Sequence, residues 1–181
     1  MVLTRGFFMG ASVCHDAHMV TVRLVEPSDH TAVRGLADRL SIGVAPWRDP
    51  SGARTAIRSW VDDALESHDP ARAPVLVAVE SEQIVGFATG GERVHWSGAV
   101  DAYIGELVTQ RSHEGRGIGA ALVDALVDWA RSRGYTRITL ETGAANGRAR
   151  AFYARRGFET EEVVLTRSLH PDPAPEPRAT S

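Results

Sequence analysis

Between Glu106 and Trp129 the chain reads ELVTQRSHEGRGIGAALVDALVDW, and the alternate glycines Gly115, Gly117 and Gly119 constrain the fold more than any other feature. Leu107 and Val108 close an apolar run ahead of them, and Ile118, Leu122, Leu126 and Trp129 recur at helical spacing behind them. The stretch therefore predicts a strand, a glycine turn and a helix in immediate succession. Glycine lets the main chain approach a ligand where a Cβ would stand in the way, and the N–H groups opening a helix attract anions. Residues 114–119 are accordingly read as a phosphate cradle. The competing reading is a plain glycine-rich turn from strand to helix.

What surrounds this stretch is the size of one domain: 181 residues support a single sizeable core and are short for two. A formal net charge of -3 gives no surface for a polyanion, so no nucleic-acid partner is expected. All 20 basic residues are arginine, which excludes Schiff-base lysine chemistry and a Walker-type phosphate lysine. Cys14 stands alone, so there is no disulfide framework. It neighbours His15, Asp16 and His18, but a structural zinc site needs four well-spaced ligands, and no metal is expected. No apolar run is long enough to span a bilayer, and residues 1–19 lack the charged, apolar and cleavage regions of a signal peptide. The expectation is a cytoplasmic chain with no membrane partner: a disordered leader at 1–19, one domain at 20–169, and a disordered proline-rich tail at 170–181.

Along the chain, Val20–Leu24 alternates as a first strand, and Pro27-Ser28-Asp29 caps a helix over Thr31–Leu40. Ser41–Gly52 reads as a loop, followed by a helix from about Arg54 to Ser67 whose apolar stripe is Ile57, Trp60, Val61 and Leu65. Val75–Val79 and Ile84–Thr89 form a hairpin about Ser81-Glu82-Gln83, and Gly90–Gly98 is irregular. Val100–Thr109 leads into the glycine turn and a helix that ends at Gly134. A strand at Arg137–Thr142, a helix from Asn146 or Gly147 to Arg156 and a final strand within Phe158–Leu169 complete the order. The fold class is α/β with the order β-α-α-β-β-β-α-β-α-β: a central mixed six-stranded sheet with helices on both faces and two crossovers between parallel strands. The final strand, as an edge, could pair two subunits into a homodimer.

Two motifs in this order resemble the GNAT superfamily of acetyl-CoA-dependent N-acetyltransferases. Glu114-Gly115-Arg116-Gly117-Ile118-Gly119 is similar to the family's pyrophosphate loop, which usually opens on Gln or Arg. Asn146-x-x-Ala149-x-x-Phe152-Tyr153-x-x-x-Gly157-Phe158 is similar to its second cofactor motif. The resemblance implies acetyl-CoA as co-substrate. It places pyrophosphate on the amides of residues 115–119, pantetheine along the backbone of Leu107, Val108 and Thr109, Asn146 near the thioester, and Tyr153 beside the sulfur.

The implied reaction is direct attack of a primary amine on the thioester in a ternary complex. A tyrosine can protonate the departing thiolate while staying neutral at ordinary pH, which suits Tyr153. A strand N–H at Val108 would stabilise the oxyanion. Glu106 is the first choice of base, with Asp101, Tyr103 and Glu141 behind it. Glu114 sits where a carboxylate would oppose the pyrophosphate, so its side chain should turn outward, with Arg111 and Arg116 compensating. The loops 41–52 and 90–101 should shape an open acceptor side bearing Trp47, Asp101 and Tyr103, suited to a small-molecule amine. Two other functions stay open. One is a non-catalytic acetyl-CoA sensor. The other is a Rossmann-type dinucleotide site, with Gly115-x-Gly117-x-x-Ala120 as fingerprint and Glu141 as the ribose acid.

Overall fold

A computed structural model describes residues 12–15 and 18–169, the backbone alone for 12–15 and 18. Residues 1–11 of the expected leader and all of the expected tail at 170–181 lie outside the described residues. The described chain divides into two compact units, one reaching Gly147 and the other beginning at Arg148.

In the first unit a six-stranded sheet runs in sequence order: β1 (Ser12–His15), β2 (His18–Leu24), β3 (Val75–Glu80), β4 (Gln83–Val94), β5 (Val100–Thr109) and β6 (Ile138–Leu140). Every neighbouring pair is antiparallel except β5 and β6, which run parallel in the register Ala102↔Ile138, Tyr103↔Thr139, Ile104↔Leu140. The expected tally of six strands is met by a different set. Ser12–His15, assigned to the leader, pairs with β2, while residues 158–169 form no strand. One crossover between parallel strands is therefore present instead of two, and the edge expected to join two subunits is not built as a strand.

The helices are α1 (His30–Leu36), α2 (Pro50–Glu66), α3 (Ile118–Ser132) and α4 (Gly147–Ala154). Asp29 fixes the entry to α1 by taking both guanidinium nitrogens of Arg23 and the N–H of Glu26, and the Arg23 bonds hold its carboxyl below the usual value. After α1 a tighter 3-10 segment, Ala37–Ser41, replaces the last turn of the expected helix. Helix α2 starts four residues ahead of its expected place: Asp49 caps it by accepting from the N–H groups of Ser51 and Gly52, and Pro50 occupies the first turn, where no N–H is needed.

Strand alternation assigns the two faces of the sheet. Val75, Val77, Phe87 and Val108 point toward α1 and α2 and pack with Val33, Leu36, Ile57, Val61 and Leu65. Trp60, expected in that stripe, is 55% exposed, because a helix with one buried side has no place for it between Ile57 and Val61. On the other face lies α3. Gly86 makes room for it, since a Cβ there would sit 3.2 Å from Ile118 and 3.3 Å from Leu122. Trp129 is buried against Ala102 and Ala130 and donates its ring N–H to the Ala71 carbonyl.

The β3–β4 hairpin turns on Ser81 and Glu82, both at positive φ (47° and 63°). Such two-residue turns favour Asn-Gly, and side chains with a Cβ are strained there. Replacing Ser81-Glu82 by Asn-Gly is expected to stabilise the fold by about 1 kcal/mol. A urea midpoint that rises with an unchanged slope would show it.

The second unit is described by itself. It carries α4 from Arg148 onward, a turn at Gly157 with φ 82°, and an irregular stretch to residue 169 in which Val163, Val164 and Leu165 are exposed.

Candidate active site

Strands β4 and β5 lose register between Ala88 and Gly90: Ala88 faces Leu107, but Gly90 faces Ile104. Two residues of β5, Gly105 and Glu106, thus stand opposite Thr89 alone, which is a β-bulge. Thr89 fills the ladder with its side chain. Its hydroxyl accepts the Glu106 N–H at 2.9 Å and donates to the carboxylate Oε2 of the same residue. Glycine is required at 105, where a Cβ would lie 2.7 Å from that hydroxyl. Desolvation raises the Glu106 carboxyl above its usual value, against the lowering effect of the Thr89 bond.

Beyond the bulge β5 continues to Thr109, whereas β6 ends at Leu140, so the two strands part company. The Gln110 N–H bonds to the Val85 carbonyl at 2.7 Å, and Glu106 also directs its N–H toward β4. By alternation Val108 does the same, and its side chain is buried in the core. This corrects the expected oxyanion donor: Leu107 and Thr109, not Val108, turn their backbone groups toward the diverging edge.

The glycine loop follows at once. Gly115 (φ 78°) and Gly117 (φ 81°) take left-handed conformations, and Gly117 is the N-cap of α3. Ala121 is the first residue to bond back, to the Gly117 carbonyl at 3.0 Å, so the N–H groups of Ile118, Gly119 and Ala120 have no helical acceptor. Alternating hand in such a loop turns successive N–H groups to one side and makes an anion-binding hollow.

Side chains around the loop hold it rather than enter it. Glu114 pairs with Arg39, which also donates through Nε to the Thr109 carbonyl at 2.8 Å. Arg116 is taken up by Glu80 through two bonds of 2.7 and 3.0 Å, and His113 Nε2 lies 3.0 Å from the same carboxylate. Desolvation would raise Glu80, but Arg116 and His113 outweigh it and hold the carboxyl below its usual value. Arg116 is thus engaged by Glu80.

The segment after Arg39 reaches the turn that follows β6. Asn146 Nδ2 donates to the Ile42 carbonyl at 3.3 Å, and a Cβ on Gly143 would fall 2.1 Å from the Gly43 oxygen. Residues 39–43 therefore link the end of β5 to the turn beyond β6. Tyr103 borders the bulge, with Arg93 stacked 5.3 Å from its ring centre, and burial raises its hydroxyl above the usual value. Trp47 is 67% exposed on its loop and Asp101 is buried in β5. Glu141 pairs with Arg93 at 2.6 Å. In the second unit, Tyr153 packs edge-on between Phe152 and Phe158 at 5.1 and 5.5 Å, and burial pushes its hydroxyl up to about 12. Ala149 lies four residues earlier on α4.

Thr89, Glu80 and Arg39 went unremarked in the sequence. A buried acid at the end of an otherwise apolar strand, as Glu80 is, carries a signal; the other two depend on register and on a contact across 70 residues. No group of metal-binding side chains occurs among the described residues, and no helix among them is long and apolar enough to cross a membrane.

A mostly antiparallel sheet whose bulged strand parts from a parallel neighbour and runs into a glycine loop defines the fold as mixed α/β. The chain belongs to the acetyltransferase (GNAT) family, whose family model matches residues 39–158. It is 30% identical over 123 residues to N-acetyltransferase 8F1 of Rattus norvegicus, covering 67% of this chain and 55% of that protein. To the dTDP-fucosamine acetyltransferase of Escherichia coli O6:H1 it is 29% identical, covering 66% of this chain and 49% of the relative. The chain thus spans about half the length of these two curated relatives. The fold is shared with aminoglycoside N-acetyltransferase AAC(6')-Iy in complex with CoA, at a TM-score of 0.64 and 20% identity, covering 93% of this chain and all (100%) of that one.

Proposed function

We propose that this protein transfers an acetyl group from acetyl-CoA to the primary amine of a small molecule. The observation that carries the reading is the succession of a carboxylate with a raised pKa at the bulge, a stretch of β5 with β4 on one side and no described strand on the other, and a left-handed glycine loop. The loop amides of residues 115–119 would hold the pyrophosphate, and the outward groups of Leu107 with the N–H of Thr109 would pair with the pantetheine arm. Glu106 would take a proton from the amine as its nitrogen bonds to the thioester carbonyl carbon. Collapse of the tetrahedral adduct breaks the C–S bond, and the thiolate leaves with a proton from Tyr153, whose part rests on its motif position. A phenol near 12 keeps its proton at every pH of interest and can give it only to a group forming beside it.

The dinucleotide alternative requires a parallel sheet with a second nucleotide-binding half, and β5–β6 is the one parallel pair among the described strands. Acetyl-CoA is expected to raise the melting temperature and NAD to leave it unchanged. Thiol release from acetyl-CoA, followed across a panel of primary amines, tests the transfer. A protein that binds acetyl-CoA and acetylates none of them is a sensor, and the catalytic reading then fails.

A further inference from the structure

Below the bulge, on the face of the sheet covered by α2, is a cavity of about 150 Å³. Ala64 of α2 and Val75 of β3 give it apolar lining, Ser67, Thr89 and Tyr103 are its polar residues, and Gly91 borders it on β4. None of the residues lining it is charged. Thr89 links it to the proposed chemistry, since the hydroxyl in the cavity wall is the one that donates to the Glu106 carboxylate.

From this half-open hollow we infer that the acceptor is a primary amine carrying one compact, uncharged, largely apolar group, and that this cavity receives that group. The inference rests on the acetyl-transfer reading and narrows it to a substrate class. Volume sets the size: a cavity of roughly 150 Å³ holds a group the size of benzene, and an aminoglycoside or an oligosaccharide is several times larger. Lining sets the polarity. A second ammonium in this cavity would be partly desolvated among neutral lining groups, with the Glu106 carboxylate, already assigned to the reacting amine, as its nearest counter-charge, at a cost that neutral atoms do not incur. Aryl-alkyl and branched-alkyl amines meet both conditions, whereas polyamines and amino sugars fail one or both. The products are the N-alkyl acetamide and free CoA thiol, with the amine proton passing to Glu106.

Gly91 gives a clean handle on the cavity. A Cβ built there meets no atom within 4 Å, and its φ is not in the left-handed region, so a valine is accommodated in β4 and narrows the cavity. Steady-state kinetics would be measured with benzylamine, 2-phenylethylamine, isoamylamine, spermidine, glucosamine and kanamycin, together with acetyl-CoA binding by calorimetry. The expected result is a kcat/KM at least tenfold higher for the first three amines than for the others. Gly91→Val should raise their KM at least tenfold and leave the acetyl-CoA dissociation constant within twofold. Preference for a polyamine or amino sugar, or an unchanged KM in Gly91→Val, overturns the cavity assignment while acetyl transfer stands. Binding of acetyl-CoA with no transfer to any amine overturns both.

Discussion

Replacing Glu106 by Gln is expected to lower kcat/KM for the amine by roughly 10²–10⁴-fold, the usual worth of a general base, while making the protein more stable at neutral pH. The two effects share one cause. Desolvation raises the carboxyl above its ordinary value, so the folded chain favours the protonated form more than the unfolded chain does. The stability this contributes is complete below the ordinary carboxylate range and is lost as pH rises through the raised value. At neutral pH the wild type therefore carries a partly desolvated charge at some cost, and glutamine removes the charge while keeping an acceptor for the Thr89 hydroxyl. The wild-type rate should fall on the acid side with a limb above the normal glutamate range, and that limb should vanish in Glu106→Gln. Thr89→Val removes the donor that favours the ionised form, so the limb should move to higher pH, and Thr89→Ser should restore it. A Glu106→Gln enzyme with undiminished turnover, or a limb indifferent to Thr89, would show that another group takes the proton.

Valine at Gly117 is expected to weaken acetyl-CoA binding by at least ~100-fold. Left-handed backbone costs a residue with a Cβ about 1–2 kcal/mol, and more when the Cβ is branched. At Gly117, with φ 81°, the strain falls on the N-cap of α3, whose next three N–H groups make up much of the anion hollow. If the loop relaxes to relieve it, those groups no longer converge; if it holds, the branched side chain stands beside them. Alanine at Gly115 offers a graded comparison, since its Cβ meets nothing within 4 Å and only the strain at φ 78° remains. A loss of about tenfold is expected there, the equivalent of 1.4 kcal/mol. Wild-type affinity in Gly117→Val, measured by calorimetry, would remove the loop from the binding site.

The sequence exposed whatever rests on local chemistry. Alternate glycines before an amphipathic run located the loop and α3 to within a residue, because a left-handed N-cap and a 3.6-residue period are written in adjacent positions. Strands β3 and β5 were equally plain. What escaped depends on distant partners. Asp49-Pro50 is a strong helix start, yet Gly52 and the prolines around it made the segment read as loop, and α2 was begun too late. The stretch at 160–169 has the composition of a strand but is irregular, and composition alone does not build a ladder. At the site, Glu106 could be singled out by its place before the cofactor strand, but the means of holding it could not. Thr89 sits 17 residues earlier, on a strand whose slipped register no spacing rule reveals. Val108 was misjudged for the same reason: which way an amide points is decided by the neighbouring strand.

That slip has a geometric consequence for the whole of β5. A regular strand sends side chains up and down by strict parity, so Tyr103 and Glu106, three apart, ought to lie on opposite sides of the sheet. The additional residue resets the parity midway, and odd-numbered Tyr103 shares a side with even-numbered Glu106 and Val108. Were β5 paired regularly with all of its residues in the ladder, everything beyond Gly105 would be sent through half a rotation: the carboxylate would turn toward α3, Val108 would leave the core, and the glycine loop would be carried forward by one residue's length. A single glycine thus acts as a phase-setter that keeps the Glu106 carboxylate and the cavity on the same side.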